Sequence, residues 1–246
     1  AVEDCFRGAL CRPLLQRLAE LPLFLLPGNQ LVKMGGGVFR PRGARESLRP
    51  LFRAMFPMFA CPATLAEEFK TAGLADLVSE VTPQRVRSKL RQDPKIIDNM
   101  ARLYAAAAAG GIGSQPGEDG DFVEFVTDVL EYCLLDLSGH GTAHYKELGG
   151  VRLLPCANEQ VLCFPYAAYV ATAAEQALLP ALRESFVHHR CSDRLAQWFR
   201  SPEFLSTLSL TSFSPAVLAS QLHTILPRHW KGQPAVAAYS AGAAGQ

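Results

Sequence analysis

Apolar residues recur at helical spacing over residues 122–137, three or four positions apart. Asp121 stands in front of this run and a glutamate follows it three positions later, which is typical of the start of a capped helix. The pattern predicts an amphipathic helix. The predicted solvent face of this helix carries three acids, Glu124, Asp128 and Glu131. Residues 2–20 are its predicted counterpart in the first half of the chain.

Each of these helices is followed by two short apolar runs with turn-forming residues between them. The runs occupy residues 23–26 and 31–34 in the first half, and residues 151–154 and 161–164 in the second half. Pro, Gly and Asn between apolar runs favour tight turns, so we predict two β-hairpins. Two isolated strands are not stable in water, and each hairpin is therefore expected to pack on helices.

Further helices carry their own start signals. Thr64 and Glu67 form the sequence pattern of a capping box, and Gly73 is a typical helix stop. Thr82 and Ser214 each stand directly before a proline, which suits a hydroxyl N-cap followed by proline at the first helical position. The helix after Thr82 is predicted to be strongly basic because it carries Arg85, Arg87, Lys89 and Arg91.

The two halves of the chain contain matching segments in the same order. Three pairs carry the match at separations of 128 to 132 positions: Leu25-Leu26-Pro27 with Leu153-Leu154-Pro155, Leu65-Ala66 with Leu195-Ala196, and Thr82-Pro83 with Ser214-Pro215. Ordered matches with a slowly drifting separation are typical of a tandem duplication. We therefore predict an α+β, helix-dominated fold with two similar lobes, each made of a helix, a β-hairpin and further helices.

The boundaries of the two predicted units follow from composition. Residues 110–120 are rich in Gly, Pro and acidic residues, which is typical of a flexible linker. The first unit is therefore predicted at residues 1–109 and the second at residues 121–232. Residues 233–246 are rich in Ala and Gly and are predicted to form a disordered tail.

Overall composition restricts the class of protein. The 246-residue chain is 49% apolar and 19% charged, with a formal net charge of +1. Such a composition is typical of a packed globular protein and argues against intrinsic disorder. The balanced charge lacks the basic excess expected for non-specific binding to nucleic acid or to anionic membranes. We therefore expect other proteins as partners, and neither nucleic acid nor membrane.

The cysteines and the beginning of the sequence indicate the compartment. Seven cysteines, an odd number, are scattered without any Cys-x-x-Cys spacing. A secreted disulfide framework favours an even count, so reduced thiols are expected. The charges near the start do not suit a signal peptide, and no apolar run approaches the ~20 residues of a membrane-spanning helix. We expect a soluble, cytoplasmic segment of a longer protein.

Three stretches of the second unit carry a resemblance to a known family. They are a helix end at residues 132–137, a Leu-x-Gly and Leu-Leu-Pro hairpin start at residues 146–155, and a Leu-Pro-x-x-Trp ending at residues 226–230. Together they resemble the large repeats of the sacsin family. Residues 149–152, Gly-Gly-Val-Arg, depart from the usual spelling of that hairpin start.

The resemblance implies a cellular location and the lack of a catalytic activity. Sacsin-family proteins are very large, cytoplasmic and co-chaperone-like, and their repeats begin with an ATPase-like module of the GHKL type. Such a module needs an acidic helix with a metal-holding Asn and an Asp-x-Gly-x-Gly loop, and the sequence has neither. The string most similar to that loop is Asp-Gly-Asp at residues 119–121, which lacks the second glycine. The resemblance therefore implies a segment downstream of the nucleotide module, without ATP hydrolysis and without a cofactor.

Histidine and cysteine side chains are the candidates for metal binding or catalysis. His140 and His144 could offer two imidazoles to a metal, but this spacing brings two ligands to one face only on a helix, and the neighbouring glycines predict a loop. His188, His189 and Cys191 suggest a Cys–His nucleophile, although adjacency in sequence is not how such pairs are built.

Other patterns of catalysis are missing from the sequence. There is no Gly-x-Ser-x-Gly elbow and no His-Glu-x-x-His, and the glycine run at residues 35–37 lacks the Lys and hydroxyl of a phosphate loop. We therefore expect no catalytic residue, no cofactor site and no metal site.

Arginines and tryptophans are the candidate partner contacts. Arg40, Arg42 and Arg45 follow the glycine run and could meet an acidic partner, although a solvated surface is the more frequent role of such residues. Trp198 and Trp230 are aromatic anchors, for which packing in the core or between lobes is the main interpretation and an exposed partner pocket is the alternative.

The sequence thus predicts a non-catalytic repeat segment of a sacsin-like chaperone or co-chaperone, serving protein–protein contacts and possible client binding. Apolar faces would either bind non-native clients or transmit motion from a neighbouring ATPase-like module, and the sequence leaves both open. A purely structural scaffold within a giant protein is the first alternative. An unrecognised hydrolase that uses a His or Cys group is the second, weaker one.

Overall fold

The computed structural model describes residues 17, 20–22, 24–26, 30–33, 39–41, 45–56, 79–108, 121–137 and 142–225. Most of the predicted first helix at residues 2–20, the capping box at Thr64, the linker at residues 110–120 and the tail at residues 233–246 lie outside these residues. Within them the predicted α+β, helix-dominated class is confirmed, because short strands are interspersed among many helices.

The described residues form ten α-helices and three single 3-10 segments. The α-helices are α1 (Arg49–Met55), α2 (Pro83–Gln92), α3 (Lys95–Ala108), α4 (Phe122–Leu134), α5 (Thr142–Tyr145), α6 (Ala173–Leu178), α7 (His189–Arg194), α8 (Ala196–Phe199), α9 (Pro202–Thr207) and α10 (Pro215–Ile225). The 3-10 segments are Glu46–Leu48, Lys146–Leu148 and Pro180–Ser185.

Eight short strands pair in twos. They are β1 (Phe24–Leu26), β2 (Gln30–Val32), β3 (Phe39–Pro41), β4 (Ser79–Val81), β5 (Arg152–Pro155), β6 (Val161–Cys163), β7 (Ala168–Val170) and β8 (Leu210–Ser212). The hairpins β1–β2 and β5–β6 are antiparallel, at the places where the sequence predicts hairpins. Strands β3–β4 and β7–β8 are parallel pairs, which require a long crossover connection and were not predicted.

The two halves of the chain follow the same order of strand pairings. In each half an antiparallel hairpin is followed by a third strand, a crossover through helical segments, and a fourth strand parallel to the third. The fourth strand then leads into a helix that begins with proline, α2 at Pro83 and α10 at Pro215. The hydroxyls of Thr82 and Ser214 accept hydrogen bonds from backbone N–H groups three residues later, as the N-cap pattern predicts.

Buried side chains from both halves belong to one hydrophobic cluster. The first half contributes residues between Leu48 and Tyr104, and the second half contributes residues between Phe125 and Leu210. Helix α4 lies in the middle of this cluster, where it packs against β5 and α7 of its own half and against α2 and the segment Glu46–Leu48 of the first half. The contact between the halves is therefore built around one helix.

A smaller cluster lies apart from the main core. It contains Ala157, Ala171, Leu182 and Phe186, with Tyr169, Leu179 and Phe213 packed against it. Among the described residues, none of the helices has the length and apolar character needed to cross a membrane.

Candidate functional site

Helix α4 begins at an acidic N-cap and is buried on almost all sides. The Asp121 carboxylate accepts a hydrogen bond from the Val123 backbone N–H at 3.1 Å, as predicted for the helix start. The prediction of a solvent face carrying Asp128 is wrong, because this residue is only 7% exposed. It is buried because elements distant in sequence, from both halves, cover this side of the helix.

The first polar site on α4 is the Asp128 cluster, formed by Arg45, Ser47, Asp128, Glu131 and Arg194. Arg45 Nη1 donates to Asp128 Oδ1 at 3.0 Å, and Ser47 Oγ donates to Asp128 Oδ2 at 2.6 Å. Arg194 donates to both carboxylates, at 2.6 Å to Glu131 and at a shorter distance to Asp128. One arginine from each half thus holds the same two acids.

A small open cleft lies beside this cluster. Polar and apolar side chains from both halves line it: Arg45, Leu48, Asp128, Glu131, Tyr132 and Leu135. The charged groups on its wall are already paired with one another. The cleft therefore lies along the interface between the first half and α4, which we call the seam.

The second polar site is the Arg87 cluster, formed by Arg87, Arg91, Asp136 and Glu147. Arg87 Nη1 donates to Asp136 Oδ1 at 2.5 Å and to the Cys133 backbone carbonyl at 2.6 Å. Its Nη2 donates to Glu147 Oε2 at 2.5 Å and to Asp136 Oδ2 at 3.2 Å. A single guanidinium of the first half therefore bridges the end of α4 and the segment that leads to β5.

Arg87 is the largest of the fully buried side chains among the described residues, at 2% exposure. Burial by itself lowers the pKa of the Arg87 guanidinium, but hydrogen bonds to Asp136 and Glu147 outweigh it and raise the pKa above its ordinary value. The side chain stays charged, and its Nε lacks a hydrogen-bond partner within the described residues. Two carboxylates and a carbonyl compensate for the burial of one cation.

Arg91 extends the same contact by one helical turn. Its Nε donates to the Gly149 carbonyl at 2.9 Å, and its Nη2 donates to the Glu147 carbonyl. A Cβ on Gly149 would lie 3.0 Å from the Lys146 carbonyl, and Gly150 has a φ of +75° with the Arg91 stem beside it. Gly150 therefore suits the positive φ of the turn into β5, and Gly149 avoids a tight contact with the Lys146 carbonyl.

Aromatic contacts complete the seam between the halves. The rings of Tyr104 on α3 and Phe125 on α4 lie 4.9 Å apart at a tilted angle. Burial raises the pKa of the Tyr104 hydroxyl to about 12. Phe52 of α1 meets Tyr132 edge to face at 5.4 Å. The Tyr132 hydroxyl donates to the Val81 carbonyl at 2.6 Å. These rings add apolar packing to the ion pairs that join α4 to the first half.

The predicted partner contacts are placed differently from one another. Arg45 is 54% exposed and is engaged within the chain through the Asp128 cluster. Trp198 lies in the core, as the packing interpretation predicts, and not in an exposed partner pocket: it is 8% exposed and its ring packs on Tyr145 of α5 and Phe204 of α9. The side chain of Arg40, as well as Arg42 and Trp230, lies outside the described residues.

The His188 and Cys191 pair is built into packing and helix capping. The Cys191 thiol is fully buried, and burial raises its pKa to about 12, which keeps it protonated. His188 Nδ1 accepts a hydrogen bond from the Arg190 backbone N–H at 3.3 Å and caps α7. His189 stacks on His188 with ring centroids 4.8 Å apart.

The other candidate for chemistry was the pair His140 and His144. His140 lies outside the described residues, while His144 lies in the short helix α5 instead of the predicted loop, with its Nδ1 3.5 Å from Glu147. Within the described part of the chain, no group of three or more His, Cys, Asp or Glu side chains is arranged to hold a metal ion.

Several residues of the site were not identified from the sequence as site residues. Asp128, Asp136, Glu147 and Arg194 have no distinctive spacing, and Arg87 was placed on a basic helix without a partner. The one available signal was the contrast between the basic helix after Thr82 and its counterpart after Ser214, which has no such charges. That contrast indicates a role specific to the first unit.

No protein-family description, no curated protein and no solved structure matches the chain.

Proposed function

We propose that this chain is a non-catalytic repeat segment of a sacsin-like co-chaperone, acting through protein–protein contacts in the cytoplasm. The observation that carries the proposal is the docking of the first half on α4 through the Asp128 and Arg87 clusters. A unit that holds the first helix of the next unit is suited to an array in which each unit contacts its neighbours. The sacsin-like assignment is supported by the sequence at residues 132–137, 146–155 and 226–230.

The state of the reactive groups supports a role in contacts instead of chemistry. Burial raises the pKa of the Cys133 and Cys156 thiols to about 12 and about 11, which disfavours the nucleophilic thiolate. The carboxylates of Asp128 and Asp136 accept hydrogen bonds from arginines across the seam. These groups hold the halves together.

Client binding would use the exposed apolar side chains. Six large ones are exposed among the described residues, and they are spread along the chain: Leu21, Leu31, Leu103, Leu135, Tyr166 and Leu178. Single exposed apolar side chains are common on protein surfaces, so holding a client would require several of them to act together.

A purely structural scaffold is the second candidate, and the burial of Trp198 favours it. Its ring packs on Tyr145 and Phe204 in the core, so this predicted anchor serves the fold. In a scaffold, the exposed leucines would be covered by neighbouring units instead of by clients.

The test is the thermal aggregation of a globular client protein, followed by light scattering in the presence of the purified chain or an inert protein at equal mass. Client binding predicts suppression at near-stoichiometric ratios by the chain alone. The variant Leu31→Gln, Leu103→Gln, which replaces two exposed leucines on β2 and α3, should suppress less well.

The outcomes separate the two candidates. Suppression that depends on those leucines would establish client binding within these residues. A folded, monomeric chain that leaves aggregation unchanged would exclude client binding by the segment alone and would favour the scaffold.

A further inference from the structure

The surface by which the first half holds α4 has an equivalent in the second half. The parallel pairs β3–β4 and β7–β8 align the two halves, with Phe39 opposite Ser79 in one and Ala168 opposite Leu210 in the other. The crossover segments align as well, because Leu48-Arg49-Pro50 and Leu178-Leu179-Pro180 each end one helical segment and begin the next.

The same alignment extends through the segment after the proline. An arginine and a phenylalanine stand three and six positions after the proline in both halves, as Arg53 and Phe56 and as Arg183 and Phe186. Strand β4 then corresponds to β8, and α2 corresponds to α10. Positions in the two halves can therefore be compared one by one.

Equivalent positions differ sharply in burial. Leu48, beside Tyr132 and Leu135 in the seam, is 1% exposed, whereas its equivalent Leu178 is 69% exposed. Val86 on α2 is fully buried, whereas its equivalent Leu218 on α10 is half-buried. Arg87 is buried in the seam, whereas its equivalent Ala219 is exposed. The second half therefore leaves exposed the surface that, in the first half, α4 covers.

We name this surface the open face and define it by Ala177, Leu178, Ala181, Leu218 and Ala219. We infer that the open face binds residues 2–20, the predicted first helix, of a second copy of this chain, in a head-to-tail arrangement. The first half holds α4, which is the first helix of the second unit. Residues 2–20 are the predicted counterpart of α4 in the first unit, so in a second copy they are the equivalent segment for the open face to hold.

Charge complementarity supports this occupant over α4 itself. In the contact between the first half and α4, Arg45 pairs with the acids Asp128 and Glu131. At the position of Arg45 the second half carries Glu175, so an acid, which also accepts hydrogen bonds from Thr172, stands where the first half has a cation. Residues 2–20 carry three arginines beside three acids, whereas residues 121–137 carry five acids and no basic residue. An acidic position therefore favours residues 2–20 over a helix with the charges of α4.

The geometry of such a contact is heterologous, because the second half of one copy meets the first half of the next. Heterologous contacts that do not close a ring produce open chains of subunits. Association should therefore continue beyond a dimer as concentration rises. The inference deepens the proposed interaction role and rests on it only in treating the two halves as units of one kind.

The test is sedimentation velocity of the full chain over a wide range of concentration, with two variants. Leu178→Glu places a charge on the open face. Ala106→Glu, which places the same charge at an exposed position on α3, is the matched control. We expect concentration-dependent faster species for the unaltered chain and for Ala106→Glu, and their loss for Leu178→Glu.

Two peptides identify the occupant. A synthetic peptide of residues 2–20, added in excess, should return the chain to monomer, whereas a peptide of residues 121–137 should leave the association unchanged. A monomeric chain at all concentrations, equal association of both variants, or equal effects of both peptides would overturn the inference. A chain that suppresses client aggregation yet remains monomeric would keep the proposed function and lose the open face.

Discussion

Arg87 is the least exposed charged residue among the described residues. Its side chain is a fully buried cation that meets two carboxylates and a backbone carbonyl of the other half. Buried ion pairs contribute little net stability over an apolar replacement of the whole group, but removing one partner is costly because the other charges lose their compensation. The value of Arg87 is therefore that it fixes which surfaces meet.

We predict that Arg87→Met lowers the free energy of unfolding by about 2–4 kcal/mol, less than for a fully buried pair because Asp136 and Glu147 are about a third exposed. Methionine retains the apolar part of the side chain, so the loss of stability reports the removal of the charged group. Arg102→Met, at an exposed position on α3, should change it by less than about 0.5 kcal/mol. Urea denaturation measures both, and equal values for the two variants would contradict the role of Arg87.

The cysteines offer a second test at the residue scale. Cys163 is exposed, whereas Cys133, Cys156 and Cys191 are buried. We predict that iodoacetamide modifies Cys163 in the native chain and reaches the other three only after denaturation, because burial raises their pKa and blocks access. Mass spectrometry of digests locates the label. Rapid native labelling of Cys191 would restore the Cys–His hypothesis.

His188 introduces a pH dependence. Burial, and then the neighbouring His189 and Arg190, lower the pKa of His188 below its ordinary 6.5, against the opposing effects of Asp121 and Glu159. As the pH falls below 6.5 the unfolded chain takes up the proton first, so this residue makes stability decrease with acidification. Protonation also removes the Nδ1 acceptor that caps α7.

We predict that His188→Asn, which keeps a capping side chain without a titrating group, weakens the loss of stability between neutral pH and the acid side of 6.5. Thermal denaturation at a series of pH values measures the dependence for both proteins. An unchanged dependence in the variant would show that His188 does not titrate differently in the folded and unfolded chains.

At the scale of elements, α4 organises the molecule because both halves pack on it. The period of its apolar residues predicted the helix and its N-cap at Asp121 correctly. The period could not reveal that Asp128 is buried, because the groups that cover it, Arg45 and Arg194, are 83 and 66 residues away. Hairpins and caps depend on neighbours in sequence, whereas partners across a seam do not.

The parallel strand pairs illustrate the same limit. Strands β3 and β7 are three residues long and have no alternating pattern that distinguishes them from loop. Their partners β4 and β8 lie some forty residues further on, across the helical crossover. Only the repeated order of segments in the sequence indicated that the two halves would share a plan.

The equivalent leucines test whether α4 covers one half and not the other. We predict that Leu48→Ala lowers the free energy of unfolding by about 2–4 kcal/mol, because the side chain is buried at the seam. Leu178→Ala should change it by less than about 0.5 kcal/mol, because the side chain is largely exposed. Urea denaturation of dilute samples, in which association is suppressed, measures both, and similar losses would contradict the comparison of the halves.

At the scale of the whole molecule, paired arginines and a shared core make the two halves one cooperative body. The main hydrophobic cluster crosses from one half to the other, and ion pairs join them at Asp128, Arg87 and Asp98. Such a body should open as a unit, since exposing the seam would uncover apolar surface and charges together. A function in protein contacts follows if units of this type are held to one another in the same way.

The most direct measurement of this claim is native-state hydrogen exchange with mass spectrometry on the full chain. Amides of α2 and α3 in the first half and of α4 in the second half should share one opening free energy. Arg87→Met should lower the value for all three helices together. Exchange of α2 and α3 through an opening far cheaper than that of α4, and unaffected by Arg87→Met, would show that the halves are independent and would contradict the account.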